Sequence, residues 1–73
     1  MIKNDDELEG TLDRINRFWR MVISMRQAET KESVYRLSAG GFLAEIDRMN
    51  LEVREYLSLH PSQLEKEQER IAA

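Results

Sequence analysis

Cysteine is absent from this 73-residue chain, which removes two devices that commonly hold small domains together. No disulfide can close a loop, and no thiolate can hold a structural zinc ion. One histidine does not replace the missing thiolates. Proline occurs once, glycine three times, and aromatics make up only 7% of the chain. With charged residues at 34% and apolar ones at 41%, that scarcity belongs to helical, solvent-exposed proteins. No apolar run approaches the roughly 18 residues of a membrane span. The opening MIKNDDELEG carries acids where a signal peptide has its apolar core. The expectation is a soluble, cytoplasmic protein with no membrane contact.

Eleven Lys and Arg stand against fourteen Asp and Glu, a net charge of −3, which argues against a module whose main task is holding phosphate. The length allows one small domain over residues 1–73. Such chains bury about 60% of their unfolded surface, and one core supplies roughly 3–5 kcal/mol. Self-association is the staple that remains open.

Helical periodicity dominates what is present. Phe42, Ile46, Met49, Val53, Tyr56 and His60 succeed one another at alternating steps of four and three, the seam of a packed helix. Tyr35 and Ala39 extend this seam backwards, and Leu43, Asn50 and Leu57 widen it. Earlier, Asn4 to Glu7 reads as a helix start, with Asn4 as cap, Glu7 reaching back and acids in the first turn. Leu8, Leu12, Ile15, Trp19 and Val22 form the stripe of that first helix, with Thr11, Phe18 and Met25 alongside and an Asp13–Arg17 pair on the polar side. Adding Met21 and Ile23 widens its apolar surface to about 200°, against the ~100° that one groove covers. A second helix face, from another chain, is expected to cover the excess.

The pattern lapses over Gln27–Ser33, which is expected to form the connection, with Thr30 or Ser33 capping the second helix. Gly40 and Gly41 allow two readings: a continuous helix with a close approach or slight bend, or a break with Gly40 ending a short helix. Pro61 is expected to stop the second helix around His60. Ser62 and Glu65 then offer an S-x-x-E cap for a short charged segment over residues 62–73.

No pattern in the chain carries catalysis. A carboxylate-bridged metal site needs inward-facing Glu and Glu-x-x-His, whereas Glu45, Asp47, Glu52 and Glu55 lie off the seam and Leu57 stands three residues before His60. Glu45, Arg48, Glu52 and Glu55 read instead as a solvated face of alternating sign. No strained turn presents a serine to the histidine, and no phosphate-binding glycine loop is present. The expectation is therefore no enzyme activity, no metal and no cofactor. Arg14, Arg17 and Arg20 avoid the first stripe and form a candidate basic ridge for nucleic acid. Asp13 and Asn16 stand among them, and no aromatic is interleaved. Asn50 has two readings: it meets its symmetry mate and fixes register, or it stays wet at the edge of the seam.

The opening IKNDDELEGTLDRINRF resembles the N-terminal segment of HigA-type antitoxins, small bacterial proteins in which I-x-N-[DE]-x-[EQ] precedes a long helix. The block GFLAEIDRMNLEVREYLSLHP resembles the second helix of the same hairpin, with its E-Y-L ending. The resemblance spans most of residues 1–61 and implies a helical hairpin that dimerises or packs on a toxin. Those antitoxins usually carry a helix-turn-helix domain after this segment, whereas twelve residues come after Pro61 here. Autoregulatory DNA binding is thus expected to lack its module.

The sequence therefore predicts an all-α antiparallel hairpin, with helices near residues 5–27 and 32–59 and a short or frayed helix near 63–71. Two hairpins are expected to join as a four-helix bundle through Trp19, Val22, Phe42, Ile46, Met49, Asn50, Val53 and Tyr56. The expected function is non-catalytic protein–protein interaction, antitoxin-like or adaptor, through helix faces read at i, i+3 and i+4. The competing reading is a nucleic-acid-associated regulator using Arg14, Arg17 and Arg20.

Overall fold

In a computed structural model, residues 1–29 and 31–63 are described. Helix α1 spans Asp5–Ala28 and helix α2 spans Glu32–Leu57, packed antiparallel with no strand among the described residues. Residues 61–63 open a short third helix. The rest of the segment expected at 63–71 lies outside the described residues.

The start of α1 is set by its first residues. The Asn4 side chain accepts from the Glu7 N–H at 2.8 Å, satisfying one of the four donors that a helix start leaves open. Glu7 does reach back, but to the Lys3 N–H at 2.7 Å rather than to Asn4. Asp5, Asp6 and Glu7 in the first turn favour the positive end of the helix dipole.

The connection is tighter than expected. Glu29 closes α1, its N–H donating to the Met25 carbonyl, and its carboxylate accepts from the Lys31 N–H at 2.9 Å. Lys31 is the cap residue of α2 and makes no side-chain cap bond. Ser33 lies inside α2, and Thr30 lies outside the described residues.

The seam on α2 is the expected row as far as Tyr56: Ala39, Ile46, Met49 and Tyr56 are buried, with Tyr35, Phe42 and Val53 packed beside them, while His60 is exposed beyond the helix end. On α1 it is displaced by one row from the expected stripe. Ile15 and Val22 are buried and Leu8, Thr11, Phe18 and Met25 are half-buried, while Leu12 and Trp19 are exposed. The row through Thr11 and Phe18 faces α2 because Phe18 meets Phe42 edge-to-face, with ring centroids 5.2 Å apart at 85°, worth about 0.5–1.5 kcal/mol beyond buried area. Ile2, outside any periodic segment, is buried as well.

Helix α2 ends three residues before the expected position. Ser58 is its cap, its N–H donating to the Arg54 carbonyl, and the Leu59 N–H donates to the Tyr56 carbonyl. His60 then caps the next helix, with Pro61 in the first-turn position that tolerates a missing N–H. The His60 Nδ1 accepts from the Ser62 N–H at 3.2 Å and the Gln63 Oε1 accepts from the His60 N–H at 2.8 Å. This reciprocal cap stands two residues before the expected one at Ser62.

Gly40 and Gly41 lie inside an unbroken α2, and a Cβ built on Gly10, Gly40 or Gly41 meets nothing within 4 Å. Neither a break nor a close approach within the chain explains them. Gly10→Ala and Gly41→Ala are each expected to stabilise the fold by about 1 kcal/mol through helix propensity alone. Urea unfolding monitored by circular dichroism checks this, and a loss of stability in either variant contradicts the open surroundings described.

Candidate functional site

Two antiparallel helices border their common seam with two flanks of different chemistry. On one flank stand the residues just before the seam positions Leu8, Ile15, Ile46 and Val53: Glu7, Arg14, Glu45 and Glu52. An open cleft there brings Glu7, Gly10, Thr11 and Arg14 of α1 against Arg48, Met49 and Glu52 of α2. Arg48 is held by Glu45 at 2.7 Å and Glu52 at 3.1 Å. The hydrogen bond to Glu45, then the two carboxylate charges, raise its already high pKa. This flank is wet and charged.

The opposite flank is more apolar, although Asp47 and Arg54, just after Ile46 and Val53, lie on it too. It carries the residues just after the seam positions Thr11, Phe18, Phe42, Met49 and Tyr56, namely Leu12, Trp19, Leu43, Asn50 and Leu57, with Ile23 one turn beyond Trp19. Leu12, Trp19, Ile23 and Leu43 remain 40%, 43%, 47% and 37% exposed. The Phe18–Phe42 contact sets Trp19 and Leu43 at the same height. Ten large apolar side chains stay exposed among the described residues, and five of them, Leu12, Trp19, Ile23, Leu43 and Leu57, lie on this flank. Scattered exposed residues need no explanation, but a contiguous group marks a contact surface.

The expected interface residues therefore divide. Val22, Ile46, Met49 and Tyr56 are buried, and Phe42 and Val53 half-buried, in the seam between α1 and α2. Trp19 and Asn50 are exposed on the apolar flank. Leu12, Ile23 and Leu43 belong with Trp19; a reading centred on the seam misses this grouping, although their helical spacing carries it.

The expected basic ridge is spread out. Arg14, Arg17 and Arg20 are exposed, and successive steps of three residues turn them by about 60° each around the helix. Arg14 sits beside Glu7 and Glu52 in the charged cleft. The expected Asp13–Arg17 ion pair does not form among the described residues. No group of three or more His, Asp or Glu side chains among the described residues converges as a metal site, and no described helix is long and apolar enough to cross a membrane. In comparisons with known proteins, no family model, no curated protein and no solved structure matches the chain.

One polar contact joins the two helices at their open end. The Tyr56 hydroxyl donates to Asp5 Oδ1 at 2.6 Å, tying the last turn of α2 to the first residue of α1. That bond, then burial, then the charges of Asp5 and Glu7, push the phenol from its ordinary 10 up to about 12. A pKa raised on folding contributes stability in full below the unfolded value and loses it as pH rises through the folded one. Alkaline destabilisation between pH 10 and about 12 is therefore expected. Absorbance titration of ionised tyrosine should show a late component that Tyr56→Phe removes. A titration with no such late component excludes the Tyr56–Asp5 bond in solution.

Proposed function

We propose that this protein is a non-catalytic protein–protein interaction module that self-associates through the apolar flank of its hairpin. The observation that carries the reading is the exposure of Leu12, Trp19, Ile23 and Leu43 on one side of the hairpin while the other side holds a charged cleft. Pairing two such flanks makes a four-helix bundle, the arrangement in which each helix buries a face wider than one groove. An aromatic anchor ringed by aliphatic side chains is the composition of a binding hot spot. The antitoxin-like form of this reading, in which the same flank meets a toxin, draws its support from the resemblance of residues 1–61.

A nucleic-acid role has one supporting observation: Arg14, Arg17 and Arg20 make no ion pair among the described residues. Against it stand the net charge of −3 and the spread of the three side chains around α1. Titration with generic duplex DNA separates the readings, since phosphate-driven binding weakens steeply with salt.

Sedimentation of the purified chain at micromolar concentration is expected to give a dimer, and Trp19→Glu to give a folded monomer with unchanged helicity. Tryptophan emission of the parent should shift to the red on dilution as the flank becomes wet. A parent chain that stays monomeric and well folded, with Trp19 emission independent of concentration, refutes self-association.

A further inference from the structure

The residues along the apolar flank of α1 also specify how a second copy lies on it. Glu9, Leu12, Asn16, Trp19, Ile23 and Arg26 are spaced at steps of three, four, three, four and three, a straight row along the helix. The spacing is the same from either end, and the chemistry is complementary on reversal. Laid antiparallel on itself, the row sets Glu9 against Arg26, Leu12 against Ile23, and Asn16 beside Trp19. Every contact then occurs twice, as a two-fold interface requires. Glu9 and Arg26 are both exposed and make no ion pair among the described residues.

We propose, building on the self-association argued above, that two hairpins dimerise with α1 antiparallel on α1 of the second copy, about a two-fold axis passing between Asn16 and Trp19. On α2, Leu43 stands at the height of Trp19 and meets its own copy near the axis. The other two-fold arrangement, with the axis along the helices, lays α1 on α2 of the second copy with both connections at one end. That brings Arg26 toward Arg36, which comes directly after Tyr35 on the same flank. In that orientation Glu9 faces Arg54 at one end but Arg26 faces Arg36 at the other, whereas the antiparallel one pairs acid with base at both ends and is favoured. In this arrangement Asn50 does not meet its symmetry mate. Asn16, next to the axis, is the polar residue that fixes register.

The absence of cysteine makes the geometry directly testable. Glu9→Cys and Arg26→Cys chains, mixed, allowed to exchange and treated with a short bis-maleimide, are expected to give chiefly the 9–26 product. Either self-linked product should fall below about a tenth of it, as effective concentration dictates. A dimer by sedimentation that yields no 9–26 product, while Glu9→Cys links to Arg54→Cys, overturns the antiparallel orientation and leaves self-association standing. A monomeric parent chain overturns both. Charge reversal gives a second readout: Glu9→Arg and Arg26→Glu should each weaken the dimer several-fold and the double variant should restore it. A double variant no tighter than either single one contradicts the proposed pairing.

Discussion

A pair of helices has one seam, and a seam two side chains wide carries the main apolar contact between the two helices of this hairpin. Ile15 and Val22 from α1 interlock with Ala39, Ile46 and Met49 from α2, all buried because the alternation of three and four residues keeps one narrow stripe of each helix turned inward. The steps are regular enough that α2 stays continuous through Gly40 and Gly41, residues whose intrinsic preference is against a helix. Packing along the stripe overrides local propensity, as is usual for helices in proteins.

Because the seam is so narrow, the ends of the hairpin depend on specific contacts rather than on bulk. At the closed end the Glu29 N–H donates to the Met25 carbonyl and its carboxylate accepts from the Lys31 N–H, bracing the connection from both sides. At the open end, where two helices without a loop fray most readily, the Tyr56–Asp5 hydrogen bond crosses between them. Ile2 is buried at the same end, sharing a small cleft with Glu52, Tyr56 and Leu59. Beyond α2, His60 caps the next turn, its Nδ1 accepting from the Ser62 N–H and its own N–H donating to Gln63 Oε1.

The same narrowness divides the outside of the molecule. One flank carries Glu7, Arg14, Glu45, Arg48 and Glu52, whose surface ion pairs contribute little to stability but keep that side wet. The other flank carries Leu12, Trp19, Ile23 and Leu43, with Glu9 and Arg26 at the ends of the α1 row and Asp47 one turn from Leu43 on α2. A helix face too wide for one groove and sided in this way favours a partner on one face alone, which is the basis for the function proposed.

The fold class, both helices and the α2 seam were legible from spacing, because a long period of alternating three and four has no other stable reading than a packed helix. Asn4 as the first cap was legible for the same local reason. The row of α1 that faces α2 was not: by hydropathy Leu12 and Trp19 outrank Thr11 and Phe18, and only the position of Phe42 decides which of two adjacent rows turns inward. Ile2 lies outside any periodic run, so its burial depends on a neighbour distant in sequence. The cap at His60 depends on how Gln63 folds back. What the sequence determined alone was how many apolar faces the helices have; which face is core and which is left for another molecule was decided by the antiparallel docking of α1 on α2, since a helix wide enough for two partners carries no local signal of which one is its own chain.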